Sequence, residues 1–373
     1  MLRSLLAGLS LLALTVALTS ARPATAHAAA GMELALQDDA VFVDQRWMER
    51  DVALDHAVEL GATRIRVNVL WARLLVADAH TRTTPKTVTY DFTNIDALQA
   101  AAAARGIKLQ LTLAGPAPAW ATKDHQVGNN APDPVKYGAF VRTVVSHFAG
   151  RVDRYAIWNE PNWNTWLAPG KNAASLYRAL YSAGYKGAKS ADPKAKVLFG
   201  ELAPVGGGRA IAPLKFLRDV TCSKANYKAA KRCAPLKADG FAIHPYQFTS
   251  APHKAAGRRD DVPIGGLSRL TSALDKLAKR KALRTPSGAK MGLYLTEFGY
   301  LTAGNRAQKP SVRSAWLASA FNLARRNPRV KQLLQYQLVD PPADEVWHSA
   351  ILNRDGSRQT SYAGLARVSA ARR

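Results

Sequence analysis

Tyr155-Ala156-Ile157-Trp158-Asn159-Glu160-Pro161-Asn162-Trp163 starts as a strand and stops as a loop. Apolar residues lead into an Asn-Glu pair, and Pro161 then withholds the backbone donor that a central strand needs. A second stretch, Leu293-Tyr294-Leu295-Thr296-Glu297-Phe298-Gly299-Tyr300, has the same design, an apolar run that delivers a carboxylate at its end. Short apolar runs of this kind are the mark of parallel strands covered on both faces.

Outward from these two stretches, the chain alternates strand-like runs with helical patterns, the order that calls for parallel β/α units. The expected strands are Met32 to Gln37, Arg64 to Leu70, Lys108 to Leu113, Asp153 to Trp158, Lys196 to Gly200, Gly240 to Ile243, Gly292 to Thr296 and Lys331 to Gln337. Helical patterns run over Trp47 to Leu60, Asn94 to Arg105, Pro134 to Phe148, Ala173 to Ser190, Leu267 to Lys281 and Val312 to Arg326, with Gly61, Gly106 and Gly150 as exits. Eight such units predict a single (β/α)8 TIM barrel of the α/β class over residues 32–373. An open doubly wound sheet would carry a Gly-rich turn after its first strand, where this chain has Gln37-Asp38-Asp39.

The residues before the barrel read as a signal peptide over 1–28. Arg3 supplies the positive start, Leu5 to Leu18 an apolar run too short to span a bilayer, and Ala26 or Ala28 a small residue at the cut. A secreted, extracellular protein is therefore expected. In that oxidising setting the two cysteines, Cys222 and Cys233, are expected to form a disulfide, with free thiols as the alternative. Neither has His or Cys neighbours at zinc spacing, and no metal or cofactor is expected. The 373 residues carry 52 Lys and Arg against 27 Asp and Glu, a net charge of +25 that should draw the surface to anionic cell-envelope polymers. These cations are scattered over predicted outer helices with no nucleic-acid motif, so nucleic acid is not expected as a partner. Neither is stable membrane insertion, and a monomer is expected.

Barrel enzymes work at the C-terminal ends of their strands. Glu160 ends strand four and Glu297 ends strand seven, across the mouth from each other. A pair of carboxylates flanking one small space suits acetal cleavage, in which one protonates the leaving oxygen and the other meets the oxocarbenium-like carbon.

The Asn-Glu-Pro of strand four and the Thr-Glu-Phe-Gly of strand seven resemble those of the clan A glycoside hydrolases, the family 39 xylosidase type and the family 5 cellulase type. Ile65-Arg66-Val67-Asn68 and Ile243-His244-Pro245-Tyr246 resemble the same group's second and sixth strands. The resemblance implies Glu160 as acid/base, Glu297 as nucleophile and Asn159 as the partner of the sugar 2-hydroxyl. It also implies that Arg66 bonds the nucleophile and holds it ionised, and that His244 and Tyr246 line the subsite beside it. Trp71, Trp120, Trp163, Trp166, Tyr246, Tyr300 and Trp347 stand near strand ends, and of these Trp120 and Trp163 are expected to be sugar-stacking platforms. Glu201, ending strand five, is expected either to bind a sugar hydroxyl or to form a salt bridge at the rim.

Two positions depart from the pattern. Gln335 stands where strand eight often offers a tryptophan, so either Tyr336 or Trp347 floors the subsite or the subsite is shaped for a different sugar, and Leu111-Thr112-Leu113 lacks the strand-three histidine of cellulase-type members. The function expected is hydrolysis of a β-glycosidic bond in a carbohydrate substrate by double displacement. A transglycosidase with the same site and a non-catalytic carbohydrate-binding barrel are the alternatives.

Overall fold

The computed structural model describes residues 31–76, 81–230, 232–254 and 257–370, so the expected signal peptide lies outside the described residues. Eight parallel strands close into a barrel: β1 (Glu33–Gln37), β2 (Arg64–Leu70), β3 (Lys108–Ala114), β4 (Arg154–Ile157), β5 (Lys196–Leu202), β6 (Gly240–Ile243), β7 (Leu293–Leu295) and β8 (Val330–Tyr336). Each pairs with its neighbours in the chain, and β8 closes on β1 with Ala35 opposite Leu334. All eight fall where the apolar runs predict them.

Strand alternation divides the residues between two environments. Along β2, Ile65, Val67 and Val69 join the main apolar core beneath the outer helices, while Arg64, Arg66 and Asn68 face the barrel axis. Burying each of those aliphatic side chains contributes about 1.5–3 kcal/mol. Along the axis, the lower end holds ions: Arg64 and Arg154 both bond Glu33, at 3.1 and 2.6 Å, and Arg64 also reaches Asp153 at 2.7 Å. Above them Ala156, Leu198, Ala242 and Tyr294 form a small apolar plug. The guanidinium of Arg154 stacks 4.4 Å from the Tyr294 ring, and a Cβ on Gly240 would come within 2.3 Å of that ring. The plug separates the lower ion network from the polar residues of the mouth.

Helices at Arg50–Glu59, Thr93–Ala104, Pro134–His147, Ala173–Ala191, Leu267–Lys279 and Pro310–Arg325 match the six helical patterns, with ends moved by a few residues. Not foreseen were the short helix Asp39–Phe42, helix Pro213–Val220, helix Thr360–Ala370, which packs on Pro310–Arg325, and the strand pair of Leu236–Lys237 with Leu283–Arg284. Cys222 and Cys233 form the expected disulfide, with Cα atoms 6.3 Å apart. Among the described residues no helix is long and apolar enough to cross a membrane.

Candidate active site

After β4 the chain makes a sharp left-handed turn, with φ of 66° at Trp158 and 38° at Glu160. Such values are uncommon for large side chains and persist only where the surroundings enforce them. Here the indole of Trp158 donates to the Trp166 carbonyl at 2.7 Å, its amide donates to the Tyr137 hydroxyl at 3.2 Å, and the Glu160 amide donates to the Glu201 carbonyl at 2.9 Å. The turn thereby aims Asn159 and Glu160 into the mouth. Glu297 needs no such device, because it directly follows Thr296 at the end of β7.

Arg66 sits fully buried below both glutamates and organises the floor. Its Nη1 donates to Glu297 Oε1 at 2.7 Å and to Gln37, its Nη2 to Asn159 Oδ1 at 2.8 Å and Glu201 Oε2 at 3.2 Å, and its Nε to Thr112 at 2.9 Å. The second oxygen of Glu297 accepts from the Tyr246 hydroxyl at 3.1 Å. His244 stands between the carboxylates, with Nδ1 2.9 Å from Glu160 Oε1 and 3.5 Å from Glu297 Oε2, and Nε2 2.7 Å from Glu201 Oε2. One oxygen of Glu160, one of Glu297 and a ring nitrogen of His244 all lie within 4.8 Å of one another.

These contacts fix the charges. Burial disfavours a cationic His244, but Glu297, Glu160 and Glu201 outweigh it and push its pKa up to about 9. The ring is therefore imidazolium at neutral pH and donates through both nitrogens. Burial raises Glu160 above the usual carboxyl range, and the hydrogen bond and charge of His244 only partly oppose it. Glu201 is equally buried, yet Arg66, His244 and the Thr296 hydroxyl hold it below that range. Asp39, near the same floor, is raised by burial to about 6 against the pull of Arg66. Glu160, His244 and Glu297 bring one ligand-type atom each within 4.8 Å of one another, and protein groups already bond all three: Arg66 and Tyr246 bond Glu297, and His244 bonds Glu160 and Glu201.

A cavity of about 610 Å³ opens over this floor. Asn159, Glu160, Tyr246, Trp163 and Glu297 line it, as the sequence leads one to expect. Arg66 and His244 lie beneath it rather than in its wall, both fully buried. Glu201 is a correction: it neither lines the cavity nor bridges the rim, but is fully buried between Arg66, His244, Thr296 and Thr112. A bulge between Gly200 and Leu202 in β5 re-aims it inward, with φ of 120° at Gly200 and 50° at Glu201. Trp120 is a second correction, since it is 5% exposed and packs edge-on against Trp71, centroids 5.5 Å apart, outside the cavity. Trp71 and Tyr300 are likewise core, whereas Trp166 and Trp347 line the cavity. On β8 the inward position belongs to Tyr336, and Gln335 instead donates to the carbonyls of Tyr336, Gln337 and Ser349. Asn68, Phe248, Arg209 and Arg306 also line it and were not foreseen. Phe248 and the two arginines all stand in loops beyond the strand ends, where no periodicity marks them.

The sequence matches no family model and no curated protein. Solved structures match the fold: a family 39 glycoside hydrolase from the gut symbiont Bacteroides cellulosilyticus WH2 aligns with a TM-score of 0.64 at 19% identity, over 91% of this chain and 63% of that one. The barrel has the fold of clan A glycoside hydrolases. A monomeric β-xylosidase from Caulobacter crescentus CB15 aligns at 0.58 and 18% identity, over 93% of this chain and 69% of its own. Xylanase 10B from Thermotoga maritima aligns at 0.57 and 14% identity, over 91% and 94%. The chain thus spans less than two-thirds of the first of these structures and nearly all of the xylanase.

Proposed function

We propose that the protein is a secreted retaining glycoside hydrolase that cleaves β-glycosidic bonds in poly- or oligosaccharides. The observation that carries this reading is the approach of Glu160 and Glu297 oxygens to within 4.8 Å across the mouth. Retaining enzymes hold their carboxyls about 5–5.5 Å apart, whereas inverting ones leave about 6.5–9.5 Å for a water. Glu297, with both oxygens hydrogen-bonded as a carboxylate by Arg66 and Tyr246, attacks the anomeric carbon as Glu160 passes its proton to the leaving oxygen. Glu160, now ionised beside the His244 imidazolium, then takes a proton from the water that displaces Glu297. Asn159, fixed by Arg66, is placed to bond the 2-hydroxyl of the sugar. The signal-like residues 1–28 and the Cys222–Cys233 disulfide support export.

The test is turnover of a panel of aryl β-glycosides and β-linked polysaccharides, with the first-formed anomer read by proton NMR. A β product is expected. An α product overturns the retaining mechanism, and no turnover on any substrate overturns hydrolysis in favour of a non-catalytic binding barrel.

His244 gives this reading a pH signature. Its charge lowers the pKa of Glu160 from the value burial alone would set, so removing it lets Glu160 keep its proton to higher pH. His244→Asn is therefore expected to move the alkaline limb of kcat/KM upward while lowering the maximum. An unmoved limb would show that Glu160 is not the acid.

A further inference from the structure

The central cavity is not closed at its sides. A space of about 410 Å³ shares Val205, Tyr246, Phe248 and Arg306 with it on the side of the loops after β5, β6 and β7. Another of about 320 Å³ shares Asn68 and Trp166 with it on the side of β1 and β2. Beneath each flank lies a buried side-chain oxygen with no hydrogen-bond partner, Asn68 Oδ1 under one and Gln247 Oε1 under the other. Gln247 has that oxygen to spare because its Nε2 is held at 2.9 Å by Ser250, Ala251 and Lys254.

The β5–β7 flank also carries cations. The guanidinium of Arg306 lies 5.2 Å over the Phe248 ring, which stacks at 5.4 Å on Tyr246, the residue that bonds Glu297. Stacking fixes the plane of the guanidinium and leaves its in-plane N–H donors to a ligand. Arg209, also exposed, lines the central cavity that Arg306 shares with this flank. Among the described residues no carboxylate lies within 4.0 Å of either arginine, and the acid of that flank, Asp261, is taken by the Gly206 amide and Arg258.

We propose that the substrate is an acidic polysaccharide cut at internal bonds, its chain lying along the three joined cavities, with Arg306 and Arg209 holding a carboxylate or sulfate on one sugar. The proposal rests on the glycosidase reading and names its substrate class. The β1–β2 flank is lined by Asp39, Asp44 and Asp91 together with Arg46 and Arg73, so the two guanidinium forks recognise an oxyanion on one side of the scissile bond only.

The test uses full-length Glu160→Gln protein and calorimetric titration with hexasaccharides of β-1,4-mannuronate and of hyaluronan. Each is compared with its carboxyl-reduced counterpart, and a sulfated mannan hexasaccharide separates sulfate from carboxylate. At least one acidic hexasaccharide is expected to bind about tenfold or more tighter than its neutral counterpart. Adding Arg306→Ala or Arg209→Ala should erase most of that preference, and Arg354→Ala, on a remote turn, should not. Equal affinity for charged and reduced forms, binding of no acidic probe, or a preference indifferent to both arginines overturns the proposal. Early products of intermediate length from any polysaccharide the wild type degrades support internal cutting, and release of only short end products overturns it. Aryl glycoside turnover by the wild type separates this failure from failure of the glycosidase reading.

Discussion

Glu297→Ala is expected to lower kcat/KM on an aryl β-glycoside by about 100,000-fold, and azide is expected to restore turnover as a glycosyl azide of inverted configuration. The loss is large because no other group can take the place of the nucleophile: Tyr246 and Arg66 contact Glu297 as donors, and His244, with its pKa of about 9, is a cation. Azide fits the space left by the carboxylate and attacks from the same face, so a single displacement gives inversion. Glu160→Ala has a different signature. Its loss should be slight with a dinitrophenolate leaving group, which needs no proton, and about 100-fold to 10,000-fold with a poor one. Azide then intercepts the glycosyl-enzyme and gives retention. Rescue of Glu297→Ala with retained configuration would exchange the two roles.

What the sequence makes legible follows from which residues obey strand alternation. All eight strands were legible because each keeps apolar side chains where it meets the outer helices, as Ile65, Val67 and Val69 do on β2, even where the inward positions are polar. Glu160 and Glu297 were legible because a carboxylate at the end of such a run is anomalous. Glu201 has the same local pattern and was misplaced, because its direction is set by the bulge at Gly200, which only the pairing of β5 with β6 creates. The exchange of Gln335 for Tyr336 is an error of one residue in register, which moves every side chain of β8 to its other face. Trp120 is followed by loop residues, but its ring faces Trp71, and sequence does not tell which side of a loop is covered. Arg306 and Arg209 read as two more surface cations among 52 Lys and Arg, and only the stack on Phe248 and the cavity wall distinguish them.

Arg66→Met is expected to destabilise the barrel by about 3–5 kcal/mol, the usual effect of removing one partner from a buried ion pair. Methionine fills the volume of the arginine stem but leaves Glu201, which is fully buried, with His244 as its remaining cation. The sign of the pH dependence follows from Glu201. In the wild type its pKa lies below the unfolded value, so its contribution to stability is present above about pH 4.5 and is lost as pH falls through the folded pKa. Without Arg66 the burial that opposes ionisation gains ground, the folded pKa rises, and any contribution that remains shifts to the acidic side. The gap in stability between wild type and variant should therefore widen from pH 4 to pH 8, as urea melts at the two ends would show. Activity should fall with it, since Asn159 and Glu297 lose the donor that positions both. Arg66→Lys separates charge from geometry: one ammonium restores part of the stability but cannot reach Gln37, Thr112, Asn159, Glu201 and Glu297 together, so kcat should remain low. A lysine variant with wild-type kcat would mean that the floor needs only a positive charge, and that the fork of Arg66 does not set the distance between Asn159 and Glu297.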